Sequence, residues 1–133
     1  YEDIDQIKSQ GLAKGGSLEN AIVVKDNRII SQGYNGFLPG CPHKSIIRDG
    51  HEQATVHAEQ NALLSAARFG ISTENSILYT TIMPCFGCAK EMLQAGIIEV
   101  KFLNEWSPHN QDLHDEHKKL LSYFPDGVNL LKI

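Results

Sequence analysis

Cysteine is scarce in this chain: Cys41, Cys85 and Cys88 are the whole complement of 133 residues. An odd set this small suits a disulfide scaffold poorly and leaves metal or redox chemistry as the use for the Cys-x-x-Cys pair. Long apolar runs are missing too, none approaching the roughly 18 residues of a membrane helix, so no membrane partner is expected. The opening residues 1–10 are acidic and amphipathic, unlike a secretory signal, and the expected location is cytoplasmic. Positive charge is in deficit, with 12 Lys and Arg against 16 Asp and Glu, a net charge of −4 and a pI near 5.8. Such a chain has no basic surface to hold a nucleic acid polymer, although a local basic pocket is allowed. Repeats, linkers and low-complexity tracts are absent. What remains is 41% hydrophobic and 21% charged, the composition of a globule, and 14.8 kDa fits one domain over residues 1–133.

The patterning alternates strands with helices. Residues 1–10 place Ile4 and Ile7 three apart, a short amphipathic helix. Residues 20–24 and 28–32 flank Asp26-Asn27 and read as a hairpin. Residues 33–43 hold three Gly, two Pro and an Asn, a loop of the kind that lines a site, which the polar stretch 44–53 continues. Helical spacing runs over 57–69 to a stop at Gly70, a β-rich run over 76–81 breaks at Pro84, and 85–94 is helical again. A strand over 97–103, a helix over 112–123 with Leu113, Leu120 and Leu121 inward, and a strand over 128–133 complete the order. This alternation predicts an α/β fold with a mixed sheet, parallel crossovers and helices on both faces.

Two of these helices open on chemically loaded sequences, His57-Ala58-Glu59 and Pro84-Cys85-Phe86-Gly87-Cys88. Two thiolates and an imidazole are three ligands of a tetrahedral Zn2+ site whose fourth position is left to water, which is the catalytic pattern. Free N–H groups at a helix start favour thiolate over thiol and so favour metal capture. Glu59 is placed beside the bound water, where a carboxylate can take a proton and hand it to a ring nitrogen of an amidine-like base. Taken alone, Cys-x-x-Cys reads as a redox pair or as half of a structural zinc site, with Cys41, His43 or His51 as candidate fourth ligands. Cys41, His43 and His51 read otherwise as holders of a second, structural zinc or as residues that shape the pocket by hydrogen bonds.

With these motifs the chain resembles the zinc-dependent cytidine and deoxycytidylate deaminase superfamily, nearest its short deoxycytidylate (dCMP) deaminases. The resemblance covers about residues 25–133. It is carried by Gly33-Tyr34-Asn35-Gly36-Phe37-Leu38-Pro39-Gly40, by the run from His51 to Ala62, and by Pro84-Cys85-Phe86-Gly87-Cys88-Ala89-Lys90. It implies a three-layer fold around a five-stranded mixed sheet, and homo-oligomers whose interfaces complete the active sites. It also implies a zinc hydrolase that releases ammonia from a small cytosine nucleotide, with Glu59 catalytic and His57, Cys85 and Cys88 on the metal. For substrate it implies Asn35 at a sugar hydroxyl, with the Ala58 backbone and Thr81 near the base. Tyr34 and Trp106 read equally as rings that stack on a base or pack at a subunit interface. Residues 1–24 depart from that pattern, with Ser17 but no arginine before the first strand, and locally look more like a segment of the bacterial zinc deacetylase of lipid A synthesis. Lys14, Lys44 and Arg48 are therefore the candidate phosphate partners. Without phosphate recognition, the substrate becomes a nucleoside or a free base such as cytosine, cytidine or guanine. A further alternative is a non-catalytic zinc scaffold. His114 and His117 sit among charged residues and read as a solvated face.

Overall fold

The computed structural model describes residues 20–37, 40–49, 51–105 and 110–131. The expected helix at 1–10, Lys14, Ser17 and Trp106 lie outside them. β1 (Asn20–Lys25) and β2 (Arg28–Tyr34) form the expected hairpin. Its turn has positive φ at both Asp26 (51°) and Asn27 (63°), which matches the right-handed twist of the flanking strands. β2 runs two residues past its expected end because Gly33 and Tyr34 keep register with Ala21 and Asn20.

The loop that follows is less open than its composition predicts. β3 (Gly36–Phe37) pairs with β6 (Thr55–Val56), and β4 (Ile47–Arg48) pairs with β5 (His51–Glu52), both antiparallel. Two-residue ladders leave no periodic trace for a sequence pattern to catch.

β7 (Ser76–Ile82) lies at the centre of the five-stranded sheet, whose order is β2-β1-β7-β8-β9, with β8 at Ile97–Asn104 and β9 at Val128–Leu130. It pairs antiparallel with β1 and parallel with β8, and β8 is parallel to β9, so the sheet is mixed as expected. α1 (Ala58–Arg68), α2 (Phe86–Gln94) and α3 (Gln111–Leu121) supply the helical layer. Alternation along the strands sends Ala21, Val23, Leu78 and Val100 into one buried cluster with Ala58, Ala62, Leu63, Ala89 and Met92. The opposite face carries Val24, Tyr79 and Leu131, with Ile22, Ile77 and Leu103 packed around them.

α3 departs from expectation at two residues. Leu113 is exposed, whereas His117 is buried. Leu120 and Leu121 pack on the core near Phe124, and His117, three and four residues before them, falls on the same inward stripe. No described helix is long and apolar enough to cross a membrane.

Candidate metal and catalytic site

Two helix starts converge beside the carboxyl end of β7. His57 is the N-cap of α1 and Cys85 the N-cap of α2, both with extended backbones, and Cys88 lies in the first turn of α2. His57 Nδ1 is 3.3 Å from Cys88 Sγ and 3.8 Å from Cys85 Sγ. All three donor atoms lie within 4.8 Å of one another, the only such His/Cys/Asp/Glu group among the described residues. Bond lengths of about 2.3 Å to sulfur and about 2.0–2.1 Å to nitrogen at tetrahedral angles require an N···S separation of ~3.6 Å. The observed distances bracket that value, so the donor set fits zinc.

The two sulfurs face each other and move each other's titration in opposite directions. The hydrogen bond with Cys88, opposed by burial and helped by the His57 ring, brings the Cys85 thiol down to about 4. The same hydrogen bond seen from the other sulfur, then burial and the charge of Glu59, push the Cys88 thiol up. A thiolate is thus available for capture, and Cys88 would give up its proton on binding a divalent ion.

Glu59 is only 2% exposed. Thr80 on β7 donates its hydroxyl to Glu59 Oε1 at 2.7 Å, holding a buried carboxylate against the sheet. Gln60 then links the start of α1 to the second turn of α2. Its Oε1 accepts from the His57 backbone N–H at 3.0 Å, as in a capping box, and its Nε2 donates to Glu91 of α2 at 3.1 Å. On the far side, the buried His117 Nε2 meets the carbonyl of Pro84, immediately before Cys85, at 2.8 Å. Nothing local marked Thr80 for this role; for Gln60 the signal was its place three residues after an N-cap, and for His117 its spacing to Leu120 and Leu121.

The family described as the cytidine and deoxycytidylate deaminase zinc-binding region matches residues 9–104. The chain belongs to this family. Among curated relatives, ComE operon protein 2 of Bacillus subtilis (strain 168) is 36% identical over 102 residues, covering 72% of this chain and 54% of that protein. The deoxycytidylate deaminase of Saccharomyces cerevisiae is 36% identical over 91 residues, covering 61% of this chain and 29% of that protein. The chain thus spans about half or less of the length of these relatives. Among solved structures, the dCMP deaminase of cyanophage S-TIM5 in complex with dCMP and dUMP has a TM-score of 0.70 and 30% identity, over 99% of this chain and 95% of that one. The match from residue 9 takes in most of the stretch 1–24 set apart by sequence, which leaves its likeness to a lipid A deacetylase segment without support.

In this deaminase-family domain the expected substrate residues are distributed unevenly. Asn35 Oδ1 accepts from the Ala58 backbone N–H at 2.7 Å, so these two candidates meet each other at the start of α1. Tyr34 is exposed, and its carbonyl at the end of β2 accepts from Asn61 Nδ2 at 2.8 Å. Thr81 faces away from Glu59. Its hydroxyl is engaged with the Asn20 backbone, accepting from N–H at 2.9 Å and lying 3.2 Å from the carbonyl. The threonine at Glu59 is Thr80, because alternation turns successive strand residues to opposite faces. Cys41, His43, Lys44 and Arg48 are exposed, and Arg48 lies 3.4 Å from Gln53 Oε1. The structure does not describe the His51 side chain. Among the described residues Cys41 and His43 join no second metal cluster.

Proposed function

We propose that this chain is a zinc-dependent hydrolase that converts dCMP and water to dUMP and ammonia. One observation carries this reading: three donor atoms spaced for a tetrahedral ion, with a buried carboxylate two residues from one of them. Likeness to a dCMP deaminase solved with dCMP and dUMP supports the choice of substrate. His57, Cys85 and Cys88 would hold the ion. When bound, zinc supplies Lewis acidity that lowers the pKa of water to about 7. Glu59 takes a proton from the attacking water, delivers it to ring N3, and serves the exocyclic amino group as it leaves. A C4–O bond forms and the C4–N bond breaks, so the water oxygen becomes the C4 carbonyl and the amino nitrogen departs as ammonia.

Asn35, fixed by the first N–H of α1, is assigned to a sugar hydroxyl, and the exposed Tyr34 ring to base stacking. Lys14, Lys44 and Arg48 are assigned to the 5′-phosphate, as charge-assisted partners. The protein is placed in the cytoplasm, where a free nucleotide is met, and assembles as a homo-oligomer.

Metal analysis combined with ammonia release from dCMP, deoxycytidine, cytosine and guanine tests the reading. We expect one zinc per chain and turnover of dCMP in preference to deoxycytidine. Glu59→Gln should retain zinc and lose roughly 10²- to 10⁴-fold in turnover. A preference for deoxycytidine would instead assign a nucleoside deaminase, and zinc-loaded protein that releases ammonia from none of the four would be a scaffold.

A further inference from the structure

Thr80 is completely buried in the central strand, where Leu78 two residues earlier fills the core and the buried Ala21 is its partner on β1. A valine would occupy the same space and suits a strand at least as well, so packing alone does not require a hydroxyl here. That hydroxyl has one hydrogen and two acceptors in reach. Glu59 Oε1 is at 2.7 Å and the Ile82 carbonyl at 3.1 Å. The charged acceptor is the nearer, and a hydrogen bond to a carboxylate is the stronger of the two.

We propose that Thr80 is a positioning residue for the deamination, holding one oxygen of the Glu59 carboxylate so that the group keeps a single orientation through both proton transfers. This rests on Glu59 being the proton carrier. A side chain in the first turn of α1 is thereby anchored to a strand 21 residues away, and the sheet rather than the helix sets where the carboxylate points. Misorientation by a fraction of an ångström is costly in proton transfer, whereas the groups assigned to sugar, base face and phosphate do not run through Glu59. The effect therefore belongs in kcat and not in KM.

The test compares zinc-loaded Thr80→Val, Thr80→Ser and Glu59→Gln with the parent on dCMP. Thr80→Val should lower kcat about tenfold or more while KM stays within about twofold and zinc content is unchanged. Thr80→Ser, which keeps the hydroxyl, should restore most of the loss. Thr80→Ala against Thr80→Ser makes the same comparison if valine is not accommodated. A merely structural hydroxyl would shift the unfolding temperature and leave kcat of the loaded protein alone. Independently of activity, a thermal-unfolding cycle of Thr80→Val with Glu59→Ala should be non-additive, and additive shifts would overturn the contact. Unchanged kcat in Thr80→Val beside an inactive Glu59→Gln overturns the role of Thr80 alone. A normally active Glu59→Gln overturns the reading of Glu59 on which it rests.

Discussion

Gly33 offers a direct way to move the site without touching a site residue. It is buried in β2 opposite Ala21, under α1. A Cβ placed on it would stand 2.5 Å from Ala62 N, 2.7 Å from Ala58 O and 2.9 Å from Asn61 Cβ, where ordinary contact begins at 3.4 Å. Two of these three atoms are backbone of α1 and cannot rotate aside. Gly33→Ala must therefore lift the helix by about 0.5–0.9 Å, and overpacking of this kind costs about 1–3 kcal/mol, roughly 10 °C in unfolding temperature at the upper end. The helix carries His57 at its start and Glu59 in its first turn. A displacement approaching 1 Å at reacting groups costs roughly 10²-fold in rate, so turnover should fall by much more than the folded fraction does. Thermal unfolding and dCMP turnover of zinc-loaded protein measure both. Gly87→Ala is the control, because nothing lies within 4 Å of its added Cβ and the residue is helical. Its stability should hold or rise by up to about 1 kcal/mol. If Gly33→Ala unfolds within about 2 °C of the parent and keeps its kcat, the spacing of strand and helix does not set the site.

Two further outcomes can be stated. His117→Ala strips the buried Pro84 carbonyl of its imidazole partner, so unfolding should weaken by about 1–3 kcal/mol and zinc should pass faster to a chelator; equal zinc retention would show that α3 does not support the Cys85 turn. Zinc affinity should rise about tenfold per pH unit between about pH 7 and 8.5, because Cys85, lowered to about 4, is already a thiolate there, whereas Cys88, pushed up, must release its proton on capture. Competition with a chelator of known affinity gives that slope, and a slope of two would mean that both thiols hold protons.

The legible parts of this molecule are the parts whose physics is local. The helix starts at His57 and Cys85, the Asp26-Asn27 turn and the buried strand from Ser76 are each dictated by neighbours within a turn or a strand, and each lies within a residue or two of its expected bounds. Residues whose roles depend on long-range placement carry a weak signal in the sequence or none. Thr80 and Thr81 are the same residue type in adjacent positions, and only the parity of β7 against the sheet decides which of them meets Glu59. His117 reads as polar among charges until the packing of Leu120 and Leu121 shows that its stripe faces inward. The pairings of β3 with β6 and β4 with β5 join segments too short for periodicity to register.

The arrangement of the donors explains why a sequence motif could carry so much of the site. N-cap and N3 side chains approach each other at any helix start, which is the geometry of the capping box. Cys85 and Cys88 occupy those two positions of α2, and His57 and Gln60 occupy them in α1. Each helix thus fixes its own pair without help from the rest of the fold, and a spacing of three in the sequence is sufficient to announce it. Bringing the two starts together is the remaining task, and it falls to contacts that no spacing reveals: Gln60 on Glu91, His117 on Pro84, and the close approach of α1 to Gly33. Perturbing any of these three should loosen the metal while leaving both helices formed, whereas breaking a cap should fray one helix and lose the metal as a consequence.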